Sequence, residues 1–308
     1  MLFSGFIPKY DLSKVRKAGA RLMTFGGRAS GPEPLSDLFK HTISILSHAV
    51  SENQRRLTSE QNHDIMCMMA AVAVAGGVRR AAMICLSNPS DLRMRDCKSG
   101  NWWEKKGHYR LANNSGVWTD HPTADLFMEE WLALVKSGSG ERGIINRQAL
   151  TNQCRKYRRL NVDDYADLYG VNPCCEVILR PRQFCNLTTN IIRENDTLKT
   201  LFEKMRLSTI IGTLQSTLTN FRYLSPEWRK NCEEERLLGV SLNGIMDHKY
   251  MAGLDFIRNG SYLVDEFMID GVKTELPDTL AALRNLAVDT NKEWADKVGI
   301  NPSAAITS

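Results

Sequence analysis

The chain has 308 residues, 43% hydrophobic and 24% charged, which is ordinary for a globular protein. Its formal net charge of +5 comes from 40 basic and 35 acidic residues spread without a basic block or tail, so direct nucleic-acid binding through a polycationic patch has no support. No stretch approaches the roughly 20 apolar residues of a membrane span, and the beginning of the chain lacks the cationic and long apolar regions of a signal peptide.

Residues 35–48 show helical periodicity, and residues 59–75 repeat it behind a start at Ser59 that resembles a capping box. Residues 80–86 are short and apolar, precede Asn88-Pro89, and read as a buried strand. Residues 88–115 are polar and contain Gly100, Trp102, Trp103 and Gly107, which suits a long loop or a short helix with a loop. Residues 125–136 read as an amphipathic helix ended by Ser137-Gly138-Ser139-Gly140. Residues 175–179 are strand-like before Arg180-Pro181, residues 197–221 form one or two helices, and residues 277–298 another. Short strands among long helices place the chain in the α/β class.

Eight cysteines without a Cys-x-x-Cys pair point to reduced thiols and a cytoplasmic location, not to a zinc ribbon or thioredoxin-like motif. The chemistry concentrates in Asn172-Pro173-Cys174-Cys175-Glu176 and in Phe184-Cys185-Asn186-Leu187. In an extended backbone Asn172, Cys174 and Glu176 share a face and offer an amide, a thiol and a carboxylate to one bound molecule. Cys185 is close enough in sequence to return to the same site. A neighbouring carboxylate opposes the thiolate that ionic nucleophilic catalysis needs, and no histidine is near in sequence. The set suits a neutral thiol that gives up a hydrogen atom while Glu176 handles a substrate hydroxyl proton. The remaining cysteines, Cys67, Cys85, Cys97, Cys154, Cys175 and Cys232, read as small buried apolar residues.

Gly26-Gly27-Arg28 would let backbone approach a phosphate, with Arg28 adding charge. Trp102, Trp103 and Arg110 suit a loop that moulds around a base, or else the two tryptophans cover a core edge. His41, His48, His63, His108, His121 and His248 have no spacing typical of a metal site, so no metal is expected, and His63 with Cys67 reads as a structural helix pair.

The motif Asn-x-Cys-x-Glu, with Phe-Cys-Asn-Leu following it, resembles the active-site loop of ribonucleotide reductase large subunits. Similar strings run nearly end to end: Thr24-Phe25-Gly26-Gly27-Arg28-Ala29-Ser30-Gly31-Pro32, Gly76-Gly77-Val78-Arg79-Arg80, Leu111-Ala112-Asn113-Asn114-Ser115, Gln215-Ser216-Thr217-Leu218-Thr219-Asn220 and Asn301-Pro302-Ser303-Ala304-Ala305-Ile306-Thr307. They are more similar to the adenosylcobalamin-dependent class than to the class whose radical comes from a diiron small subunit, which is the alternative radical source.

The resemblance implies that Cys174 carries a transient thiyl radical that abstracts the ribose 3′ hydrogen. It implies that Glu176 takes the 3′-hydroxyl proton, that Asn172 orients the substrate, and that Cys185 is one of two thiols that reduce the 2′ position. Gly26, Gly27, Arg28 and Arg79 would meet the phosphates of a deoxynucleoside triphosphate effector, and Trp102, Trp103 and Arg110 would belong to the specificity loop. The implied fold is part of a ten-stranded α/β barrel with Cys174 on a central finger loop. Residues 1–115 would be the effector and specificity region, and residues 116–308 the finger loop and a truncated second half-barrel. The implied partners are a ribonucleotide substrate, a thioredoxin-type reductant and a complementary reductase chain. That chain would supply the second redox cysteine and a Pro-Ser-Gly-Thr-like phosphate loop. The alternative is a non-catalytic nucleotide-binding or assembly fragment of an interrupted or decayed gene.

Overall fold

The computed structural model describes residues 5–23, 26–74, 82–138, 141–158, 162–165, 168–252, 268–269, 272–273 and 276–307. They fall into two compact units, Met1–Gln148 and Ala149–Ser308.

In the first unit, helices α1 (Glu33–Ser51) and α2 (Ser59–Ala73) precede a parallel sheet. The capping box of α2 lies one residue earlier than the sequence suggested. The Thr58 hydroxyl accepts from the Gln61 N–H at 3.2 Å, and the Gln61 side chain accepts from the Thr58 N–H at 2.8 Å. The sheet order is β1 (Met83–Ser87), β2 (Ala112–Trp118), β3 (Gly143–Asn146). Strand β1 begins later than the expected 80–86, and its residues are only partly buried; residues 80 and 81 lie outside the described set.

The expected loop at 88–115 is more ordered than its composition suggests. It contains short helices α3 (Leu92–Asp96) and α4 (Trp102–Lys105), and its last residues enter the central strand β2. Ala112-Asn113-Asn114-Ser115-Gly116 has little intrinsic strand preference. Tertiary partners override it: Asn114 is buried and donates through Nδ2 to Cys97 Sγ at 2.8 Å, while its backbone N–H donates to Glu141 Oε2 at 3.2 Å. Helix α5 (Ala124–Ser137) follows and ends on Gly138 at φ 65°, the left-handed geometry glycine adopts freely.

A buried ion pair locks this sheet to α5. Arg142 Nε and Nη2 donate to the two Glu130 carboxylate oxygens, each at 2.9 Å, and Nη1 donates to Ser87 Oγ at 2.8 Å. Gly116 makes room, since a Cβ there would sit 3.0 Å from the guanidinium.

The second unit opens along helix α6 (Arg147–Tyr157), which crosses the boundary between the units. A short antiparallel pair follows, β4 (Gly170–Val171) with β5 (Ile178–Leu179). Next come β6 (Asn186–Ile191), α7 (Leu198–Gln215), α8 (Pro226–Glu235), β7 (Leu238–Asn243), the small antiparallel pair β8 (Met268–Ile269) and β9 (Val272–Lys273), α9 (Leu276–Val298) and β10 (Ile306–Thr307). The parallel sheet has the order β10-β7-β6.

Helices α7 and α9 cover it through a core of Ile192, Leu201, Met205, Val240, Leu283 and Ala287. Gly212 faces the sheet, and a Cβ there would make ordinary van der Waals contact with Thr188 at 3.4 Å and Leu238 at 3.6 Å. Asn291 on α9 donates to Thr213 Oγ1 at 2.9 Å and accepts from the Ser303 N–H at 2.7 Å, which fixes the segment leading into β10.

Glu130→Ala leaves the Arg142 guanidinium buried without its charge partner. The expected cost is about 3–5 kcal/mol of unfolding free energy. Asp37→Ala, which removes the exposed Lys40–Asp37 pair, should cost less than about 1 kcal/mol. Urea unfolding of both variants checks the contrast, and equal effects would contradict it.

Candidate active site

The residues between β4 and β5 form a turn, not the extended strand their sequence suggested. The Cys175 N–H donates to the Asn172 carbonyl at 2.9 Å, and Cys175 has φ 64°. Of the strand expected at 175–179, only Ile178 and Leu179 pair. Alternation therefore does not place Asn172, Cys174 and Glu176 on one face. The turn itself brings two of them together: Asn172 Nδ2 donates to Glu176 Oε1, and Asn172 Oδ1 accepts from the Val177 N–H at 3.3 Å. The second oxygen, Glu176 Oε2, is buried and has no hydrogen-bond partner among the described residues.

Cys174 and Cys175 are both exposed, which corrects the buried reading of Cys175. Cys67, Cys97, Cys154 and Cys232 are buried, and Cys85 is half-buried. Cys185 is half-buried just before β6. Burial, and then the Glu176 carboxylate, push its thiol up to about 12 against the opposing pull of Arg158. Gly239 on β7 keeps this corner open, since a Cβ there would lie 2.4 Å from Leu187 and 3.7 Å from Cys185 Sγ.

The segment that follows β5 is held by a buried polar cluster. Glu235 Oε2 meets Arg158 Nη1 at 3.0 Å and Arg180 Nε at 3.5 Å, and accepts from Gln183 Nε2 at 2.5 Å. Arg180 also pairs with Glu234 at 2.6 Å. Asn231 donates to the Pro181 carbonyl at 2.8 Å, and Phe184 stacks on Trp228 with ring centroids 4.7 Å apart. None of these α8 partners announced itself in the sequence, because they lie about fifty residues from the loop they hold.

Glu176, Val177 and Ile178 line a cavity of about 610 Å³ together with Arg158, Arg284, Lys292 and residues 302–307. Arg284 and Lys292 are exposed and form no ion pair among the described residues. The cavity thus joins one carboxylate to three cations, which suits a polyanionic ligand carrying a hydroxyl. Cys174 is not among its lining residues.

The other expected site residues lie in the first unit. Gly26 and Gly27 have φ 71° and 77°, and the Leu22 N–H donates to the Gly27 carbonyl at 3.0 Å. Arg28 donates to the Gly19 carbonyl at 2.8 Å. Arg79 lies outside the described residues. Trp102 packs against the core around Met94, Cys97 and Tyr109, with Lys98 Nζ 5.0 Å from its ring centroid, whereas Trp103 and Arg110 are exposed.

No protein-family model matches the chain. Curated relatives do, and they are oxidoreductases of the ribonucleotide reductase type. The adenosylcobalamin-dependent ribonucleoside-triphosphate reductase of Lactobacillus acidophilus is 28% identical over 97% of this chain and 40% of its own length. The protein of the same name from Lacticaseibacillus paracasei is 27% identical over 97% of this chain and 39% of its own. That of Lactobacillus delbrueckii subsp. bulgaricus is 30% identical over 77% and 31%. The chain is a relative of these reductases along nearly its whole length, and it spans about 40% of the length of the first of them.

The thiols should differ in reactivity. A raised Cys185 keeps its proton at neutral pH, so its thiolate fraction grows only as pH climbs towards 12. Iodoacetamide at neutral pH, read by peptide mass mapping, should modify exposed Cys174 well before Cys185. Equal labelling rates in the folded chain would contradict this.

Proposed function

We propose that this chain supplies the active-site loop and part of the substrate cavity of an adenosylcobalamin-dependent ribonucleotide reductase acting on ribonucleoside triphosphates. The observation that carries the proposal is the split environment of Glu176. One oxygen is bound by Asn172, and the other is buried with no partner among the described residues, on a residue that lines a cation-rimmed cavity. A buried acceptor without a donor is costly. A substrate hydroxyl would supply the donor.

In this reading Arg158, Arg284 and Lys292 attract the phosphates, and Asn172 holds Glu176 in place and orients the ribose. A thiyl radical on Cys174 takes the 3′ hydrogen while Glu176 accepts the 3′-hydroxyl proton. Two thiols, Cys185 and one from the complementary chain, then reduce the 2′ carbon. The 2′-hydroxyl leaves as water, the two thiols become a disulfide, and Cys174 and Glu176 return the hydrogen atom and the proton to the 3′ position. Adenosylcobalamin, named in the relatives, supplies the radical when bound. The exposure of Cys174 leaves its sulfur open to approach by so large a cofactor, and no described residue is assigned to hold it. The relatives' names favour this cofactor over a diiron small subunit.

The two parallel sheets would be parts of a ten-stranded barrel, with the turn at 172–177 as its finger loop. A deoxynucleoside triphosphate effector would meet Gly26, Gly27, Arg28 and Arg79, with Trp102, Trp103 and Arg110 in the specificity loop. A thioredoxin-type reductant would recycle the disulfide. Among the described residues no helix is long and apolar enough to cross a membrane, and eight free cysteines suit a reducing cytoplasm. A non-catalytic nucleotide-binding role is the second reading, favoured by the position of Cys174 outside the cavity lining.

With the chain combined with the remainder of the reductase, Cys174→Ser should abolish deoxyribonucleotide formation. Glu176→Gln should lower kcat by roughly 10²–10⁴, the usual range for general acid–base catalysis, with KM little changed. Turnover by Cys174→Ser would sink the mechanism. Nucleotide binding without turnover in the unsubstituted complex would select the second reading.

A further inference from the structure

Three residues that the proposed reaction does not use converge in the first unit. His41 comes from α1, Asp64 from α2, and His108 from the 3-10 turn Gly107–Leu111 that leads into β2. His41 Nε2 lies 2.8 Å from Asp64 Oδ1, and His108 Nε2 is hydrogen-bonded to the same oxygen. One ligand atom from each residue lies within 4.8 Å of the other two. The imidazole rings meet edge to face at 5.4 Å between centroids. Burial alone would raise the Asp64 carboxyl, but the hydrogen bonds from His108 and His41 outweigh it and hold the group below its usual range. The carboxylate thus faces two imidazoles through one oxygen.

We propose that His41, Asp64 and His108 form a binding site for a divalent transition-metal cation, zinc in the first instance. Two imidazole nitrogens and one carboxylate oxygen are the donor set such cations take, with a fourth position left to water. Calcium and magnesium prefer all-oxygen sites and are disfavoured. In the metal-free arrangement both rings present their Nε2 protons to one carboxylate oxygen. A cation replaces those two hydrogens, with each ring carrying its proton on Nδ1 instead.

The nearby His63 and Cys67 form a separate contact, with Sγ 3.6 Å from Nε2. Burial pushes the Cys67 thiol up to about 12, so it is not a ready thiolate ligand. The bound cation would be sulfur-free. It would join two helices to the turn that follows Trp102 and Trp103, and so hold the start of β2 at Ala112.

The test uses the full chain, freed of metal by chelation, titrated with Zn²⁺ against a chromophoric chelator and with Co²⁺ by visible absorption. A site is expected that weakens at least tenfold in His41→Ala, His108→Ala and Asp64→Asn and is unchanged in His121→Ala. The Co²⁺ complex of the unsubstituted chain should show ligand-field bands without thiolate charge transfer. That spectrum excludes cysteine ligation even where a variant fails to fold. The proposal is overturned if no Zn²⁺ binds the unsubstituted chain, if the Co²⁺ spectrum carries the thiolate band, or if folded Asp64→Asn and His108→Ala bind zinc as before.

Discussion

The buried Glu235 carboxylate is the constraint on which the second unit's site depends. It stands at the end of α8 with only 2% of its surface exposed, and it receives Arg158, Arg180 and Gln183. Its backbone carbonyl accepts from the Ala304 N–H at 2.8 Å. A buried charge must be fully paired or it is strongly destabilising, so each partner is held in one arrangement. The end of helix α6 and the segment after β5 are thereby fixed to one carboxylate, and the approach to β10 to the backbone carbonyl of the same residue. Arg158 serves twice, as a partner of Glu235 and as a wall of the cavity that Glu176 faces.

Above this anchor, the loop at 172–177 gets its shape from local geometry. Cys175 occupies the left-handed region, where a side chain costs energy and glycine is the usual choice. Such a conformation persists only where the surroundings over-determine it. Here the hydrogen bond from the Cys175 N–H back to Asn172 and the short β4–β5 pairing supply that determination. The result is a tight turn that exposes two adjacent thiols at its tip and draws Asn172 and Glu176 together at its base.

The first unit solves a related problem by other means. Its central strand carries Asn114 and Ser115 into the interior, where parallel sheets usually place β-branched apolar residues. Polar partners accompany them: Asn114 donates through Nδ2 to Cys97 and through its backbone N–H to Glu141, and the bidentate Arg142–Glu130 pair lies beside Gly116 on the same strand. Asp64 plays the corresponding part between α1, α2 and the turn at 107–111, by gathering two histidines onto one oxygen. In both units, carboxylates set the positions of loops whose own sequences are too polar to pack by themselves.

The long helices, the α/β class and the motif that points to a ribonucleotide reductase could be read from the sequence. Each rests on local information, either a 3.6-residue periodicity with its caps or a short string of adjacent residues. Strand β2 was hidden because Asn-Asn-Ser-Gly is a loop composition that only burial among specific partners turns into a strand. The turn at Asn172–Cys175 was hidden because a cysteine at positive φ contradicts ordinary preference, so an extended segment was the natural expectation. The Glu235 cluster and the His41–Asp64–His108 cluster join residues many positions apart, and no spacing rule connects them. The sequence by itself determined which chemical groups are present and where the chain becomes helical. Which of those groups meet was decided by the tertiary structure, because hydrogen bonds and ion pairs between distant segments form only when packing removes water from around them.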